Sequence, residues 1–123
     1  MTYSIAAKCP RTGMFGAAIT TSSIGVGARC AYARAGVGAV LTQHRTDPRL
    51  GPKGLELLAQ GLPAKDVVER LTRGVPGIGW RQLAVVDNDG APPRTTATGS
   101  LRCTQATKVP AASPSATSFA PQG

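Results

Sequence analysis

A chain of 123 residues has room for one domain, and its 14 Lys and Arg against 6 Asp and Glu make it basic, with a formal net charge of +8. The basic residues are scattered between positions 8 and 108, with no run and no interleaved aromatic platform, so they read as a solvated surface; no nucleic-acid partner is expected. Cys9, Cys30 and Cys103 are odd in number and far apart, which argues against a zinc site and against a disulfide framework. Free thiols in a reducing compartment follow, with no metal and no cofactor. The N-terminus lacks the basic and apolar regions of a signal peptide, and no stretch approaches the roughly twenty apolar residues of a membrane span. The expectation is a cytoplasmic protein without membrane partners.

In chain order, residues 2–8 carry the β-favouring Tyr3 and Ile5 and stop at Cys9-Pro10-Arg11-Thr12-Gly13, where Pro and Gly in that order predict a tight turn. Residues 14–21 follow as a second strand, so the opening is a predicted β-hairpin. Ser22 and Ser23 follow it and could place hydroxyls beside the first strand, although a serine-rich turn is the commonplace alternative. Residues 36–43 (GVGAVLTQ) form an apolar run with little alternation, which suits a strand covered on both faces. Gly25-x-Gly27 and Gly36-x-Gly38 are not phosphate loops, because neither is followed by Gly-Lys-Ser/Thr or opens a helix with dinucleotide-binding spacing. Close backbone packing in a sheet explains them better.

Pro48 and Pro52 then punctuate the chain, and the period changes. Leu55, Leu58 and the stem of Lys53 lie at helical spacing, ending at Gln60-Gly61. Pro63 fits the first turn of a second helix, with Val67, Val68 and Leu71 as its stripe, Asp66 and Arg70 as an i,i+4 pair, and Gly74 as its stop. Trp80 is expected to pack over the core, with lining a pocket as the alternative. Residues 82–87 (QLAVVD) predict a buried strand ended by Asn88-Asp89-Gly90, a hairpin turn signal. Strands and helices in this order make a layered α/β fold. After Gly90 the pattern is lost: there is no acidic residue, one aromatic and no periodicity, and Pro92-Pro93 stands where a return strand should begin.

Two places carry candidate chemistry. Methionine ahead of a small residue is normally trimmed, which would leave Thr2 with its hydroxyl and a free α-amine on one carbon skeleton, a nucleophile with its own base. Such an amine has a pKa of about 7.7–8.0, so near neutral pH part of it can accept the hydroxyl proton. The plainer alternative is that Thr2 is a β-branched residue opening an edge strand. Gln43 and His44, with Asp47 and Arg49, end a strand and enter a proline-bounded loop, a common home for sites. His44 is the only histidine, and the plain view of it as an exposed loop residue is favoured. Asp47 before Pro48 is favoured as a turn and helix-entry device over an acid.

The stretches TYSIAAKCPRTGMFGAAI, GARCAYARAGVGAVLTQ, DPRLGPKGLELLAQGLPAKDVVERL and RQLAVVDNDG resemble the N-terminal half of the Ntn-hydrolase-like family known as domain of unknown function 1028. The resemblance covers residues 2–90. It implies a four-layer αββα sandwich, two antiparallel sheets between helices, with Thr2 where such hydrolases keep their nucleophile. It also implies an amidohydrolase with an unassigned amide substrate, and as the alternative a non-catalytic module on the same fold that binds a small molecule or a protein.

The family continues with a glycine-asparagine stretch of the form GN-(I/M/L)-L, which is not present here. Residues 113–120 (SPSATSFA) have a coding that, read two bases in, gives Ala-Ile-Gly-Asn-Ile-Leu-Arg. The expectation is therefore a partial domain over residues 1–90, with residues 91–123 an out-of-frame, low-complexity tail, impaired activity, and a last strand lacking its hairpin partner. Exposed apolar sheet surface of that kind favours homo-oligomers.

Overall fold

The computed structural model describes residues 2–89 throughout and, beyond them, the backbone of a short strand, Arg94–Thr96. The predicted hairpin is present as β1 (Thr2–Lys8) and β2 (Phe15–Thr21), in register from Thr2 opposite Thr21 to Lys8 opposite Phe15. Its turn closes with the Cys9 N–H donating to the Met14 carbonyl at 2.7 Å and Gly13 in the left-handed region at φ 73°. A single helical turn, α1 (Gly27–Cys30), leads straight into β3 (Ala31–Arg34). Neither was expected, because four-residue elements are too short to display a period.

The predicted both-face strand is β4 (Gly38–His44), buried from Gly38 to Gln43. Two helices follow, α2 (Leu50–Ala59) and α3 (Ala64–Thr72), then a 3-10 turn (Ile78–Trp80), β5 (Arg81–Asp87) and β6 (Arg94–Thr96). β3, β4, β5 and β6 form one antiparallel sheet in that order, and β1–β2 form a second. The expectation that the last buried strand lacks a hairpin partner is therefore corrected: Arg94, Thr95 and Thr96 pair with Val85, Ala84 and Leu83. A strand can start directly after a prolyl pair, because the missing donors lie ahead of its ladder. Apart from Arg94–Thr96, the tail expected to be out of frame over residues 91–123, Cys103 included, lies outside the described residues.

The two faces of the four-stranded sheet hold the two cores. On one face Val40, Leu83 and Val85 meet Leu50, Leu55 and Leu58 of α2 and Val67, Val68 and Leu71 of α3. On the other, Ala39, Leu41 and Val86 meet Ala6, with Phe15 and Ala17 packed against them. Alternation along β4 sorts the side chains between these layers, which is why the strand carries an unbroken apolar run. Of the four layers that the resemblance implies, helices, sheet and sheet are present among the described residues, and neither α2 nor α3 covers the outer face of β1–β2.

Local expectations are adjusted in three places. The buried stripe of α2 includes Leu50, Gly51 and Gly54, whereas Lys53 is exposed. A Cβ on Gly51 would sit 2.1 Å from the Tyr32 ring, so glycine is what brings α2 down onto β3. Gly38 bears out the close-packing view of the Gly36-x-Gly38 pair, since a Cβ there would lie 2.4 Å from the Val86 carbonyl oxygen; Gly25 instead occupies a turn at φ 67°. Pro63 is the N-cap of α3 at ψ 154°, one position before the first turn, and the ion pair on that helix joins Glu69 to Arg73 at 2.7 Å.

Candidate functional site

Thr2 opens β1 at an exposed position, and its Oγ1 lies 2.8 Å from the Oγ1 of Thr21, the residue paired with it across the hairpin. Thr21 Oγ1 also accepts the Ser23 N–H at 3.4 Å, so the TTSS stretch is tied to the start of β1. Two residues further on, and hence on the same face, Ser4 accepts a hydrogen bond from the side-chain amide of buried Gln43. Same-face neighbours on a strand are about 6.8 Å apart. The hydroxyls of Thr2, Thr21 and Ser4 and the amide of Gln43 thus form one polar row at the edge of the layer between the sheets.

His44 and Asp47 have other partners. His44 ends β4 with φ 68°, a left-handed backbone that is uncommon for a residue with a side chain. Its ring meets the Trp80 carbonyl through Nδ1 and lies near-parallel to the Trp80 ring, with centroids 6.3 Å apart. Asp47 accepts from the Arg49 N–H at 3.1 Å, Nε at 2.9 Å and Nη2 at 2.8 Å, and Arg81 stands 3.9 Å away. The side-chain bond from Arg49 is the leading reason that the Asp47 carboxyl is held down at about 2. A carboxylate so engaged fixes the turn into α2, as the position before Pro48 suggests. Among the described residues, neither His44 nor Asp47 shares a hydrogen bond with Thr2.

Trp80 does not pack over the core. It is 62% exposed at the sheet end, with the Arg45 guanidinium 6.0 Å from its ring centroid. Its carbonyl is held by the Arg45 N–H at 3.1 Å as well as by His44, which pins the backbone and leaves the indole outside. Ser4 and Thr21 were not singled out in the sequence, although alternation from Thr2 and the hairpin register point to both.

At the opposite end of the sheet a cleft of about 280 Å³ is lined by Val37, Leu58, Leu62, Asp87 and Asp89, among others. Asp87, the last residue of β5, is buried, and its Oδ2 accepts the Ala64 N–H at 2.9 Å. It thereby caps α3 from across the sheet, where Pro63 offers no side-chain acceptor.

The family model of the family of unknown function DUF1028 matches residues 2–117. The chain belongs to that family. The match runs past Gly90, where the resemblance read from the sequence stops. Protein SPO2555 from Silicibacter pomeroyi, a solved structure bearing the same family designation, is 30% identical with a TM-score of 0.73. The similarity covers 78% of this chain and 44% of that one, so the chain spans less than half of that protein's length. None of the curated proteins matches the chain. Among the described residues no helix is long and apolar enough to cross a membrane.

Proposed function

We propose that this DUF1028 protein is an Ntn-hydrolase-like amidohydrolase, cytoplasmic, with Thr2 as its nucleophile. The observation that carries the reading is the placement of Thr2: an exposed hydroxyl at the first position of a strand, hydrogen-bonded to Thr21 and followed on the same face by the Ser4–Gln43 pair. With Met1 removed, the α-amine of Thr2 takes the proton from its Oγ1, and the oxygen attacks the carbonyl carbon of an amide. The leaving amine collects that proton, and the α-amine of Thr2 then deprotonates a water that attacks the threonyl ester, returning the proton to Oγ1 as the acid departs.

In this reading Gln43 is a positioning residue: its amide holds the Ser4 hydroxyl, which fixes the strand face that Thr2 shares. Asp47, ionised and bound by arginine, shapes the loop and passes no proton near neutrality. A non-catalytic binding module on the same fold is the competing reading, favoured by the exposed indole of Trp80.

Intact-mass measurement of the purified chain, before and after treatment with a β-lactone electrophile, separates the two. The expected result is loss of the Met1 mass and a single adduct on Thr2, abolished in Thr2→Ala and kept in Thr2→Ser. Retention of Met1, or equal labelling of Thr2→Ala, removes the nucleophile.

A further inference from the structure

The end of the sheet where β4 leaves and β5 enters gathers one tryptophan, one histidine and three arginines around a single carboxylate. Trp80 is exposed; the His44 ring lies near-parallel to it, and the Arg45 guanidinium stands over it at 6.0 Å. Among the described residues Arg45 has no carboxylate partner. Arg81 donates through Nη1 to the Arg45 carbonyl at 2.9 Å, which ties the two arginines together, and its Nε is buried with no acceptor. Arg49 reaches the same loop, its side chain mostly in solvent. Three guanidiniums against Asp47 leave this small patch with a formal charge of +2. The left-handed φ of His44 is strain of the kind that surrounding structure must enforce, and it is what turns the chain so that His44 and Arg45 both reach Trp80.

We propose that this patch binds a nucleoside phosphate, with the base stacked on Trp80 and the phosphate taken by the arginines. An indole face accepts any planar heteroaromatic ring, and stacking between base and aromatic side chain is tolerant of base identity. Guanidinium forks match phosphate oxygens in pairs, and Arg45, whose guanidinium is 6.0 Å from the centroid of the ring it stands over, is placed to bridge the two halves of such a ligand. The ligand is a mononucleotide and not a strand, because among the described residues Trp80 is the one exposed large aromatic side chain at this end of the sheet. This inference is independent of the chemistry at Thr2.

Trp80 is the only tryptophan of the chain, so its emission reports the site directly. Adenosine monophosphate, titrated into the full chain with excitation at the red edge of the indole band, is expected to quench that emission to a plateau. Adenosine alone and inorganic phosphate alone are each expected to bind about tenfold more weakly or worse, since each lacks one set of contacts. Arg45→Ala is expected to weaken binding about tenfold, and Trp80→Leu, followed by calorimetry, by at least as much. Circular dichroism of both variants should match the parent, as neither side chain lies in a core. Quenching that rises linearly without a plateau, or that Arg45→Ala leaves unchanged, overturns the proposal. So does an oligonucleotide that binds more tightly, per nucleotide, than the monophosphate, which would make the patch part of a strand-binding surface.

Discussion

The two sheets are built by the same antiparallel pairing, yet they are supported in very different ways. Along β4 and β5, Val40, Leu83 and Val85 are fully buried beneath α2 and α3. Along β1 only Ala6 is buried, while Tyr3 and Ile5 on its outer face are half exposed. Backbone pairing alone therefore says little about where stability resides, because it is the burial of apolar side chains on a second surface that supplies most of the favourable free energy. The difference also sorts function: the candidate nucleophile and its hydroxyl row belong to the thinly supported sheet, and the arginine-rich patch to the rim of the thickly supported one.

The contrast is broken or sharpened most strongly by truncating one side chain on each sheet. Leu83→Ala removes a buried side chain beneath α3 and should cost about 2–5 kcal/mol in denaturant unfolding. Ile5→Ala, on the open face, should cost less than about 1 kcal/mol. Equal losses would show that the outer face of the hairpin is covered in solution. Next in size is Asp87→Ala, which orphans the Ala64 N–H at the start of α3 and should cost about 1–3 kcal/mol, with Asp87→Asn, still an acceptor, recovering part of it.

A smaller effect appears in acid. The folded-state pKa of Asp47, about 2, lies below its ordinary value of about 3.9. Its contribution to stability is thus complete above pH 4 and is lost as pH falls through 2. The difference in unfolding midpoint between the parent and Asp47→Asn should close over that window. It should also shrink with added salt, because Arg49 is largely exposed. A gap independent of pH would mean that the turn, and not the charge, is what matters.

The smallest effect leaves stability untouched. The Cys9 thiol is drawn down to about 7 by the Thr12 hydroxyl and the backbone N–H groups of the hairpin turn, whereas Cys30 is buried. Alkylation followed by peptide mass analysis should modify Cys9 before Cys30, at a rate that rises through pH 7; faster labelling of Cys30 would show that α1 and β3 open more readily than the hairpin turn.

What could be read from the sequence follows the strength of the local pattern. α3 is legible because Val67, Val68 and Leu71 repeat at helical spacing, and β4 because an apolar run bounded by glycine and proline has few other uses. β3 is not, since four residues carry no period, and β6 is hidden behind Pro92-Pro93. In the candidate site, Thr2 and Asp47 are visible through short-range chemistry, a first-position hydroxyl and a turn before proline. The Ser4–Gln43 bond joins residues 39 positions apart, and the meeting of Trp80 with His44 spans 36. Partners that distant are set by strand pairing, and nothing in either neighbourhood announces the other. Trp80 misleads for a related reason: its size argues for the interior, but its backbone is fixed at the sheet end, beyond the reach of either helix.

The pairing of β4 with β5 has a kinetic consequence. Both helices lie within the loop that this pairing closes, so compaction of α2 and α3 is expected to favour formation of the central ladder of the large sheet by bringing its ends together. The Asp87–Ala64 bond acts within that loop, where a carboxylate at the end of β5 accepts the first N–H of α3, 23 residues earlier. The hairpin, by contrast, closes a short turn and needs about 1–10 μs, but it has no surface to bury against until β4 and β5 are in register. Folding is therefore expected to be paced by the helical loop, with β1–β2, though quickest to pair, the last part to gain from having done so.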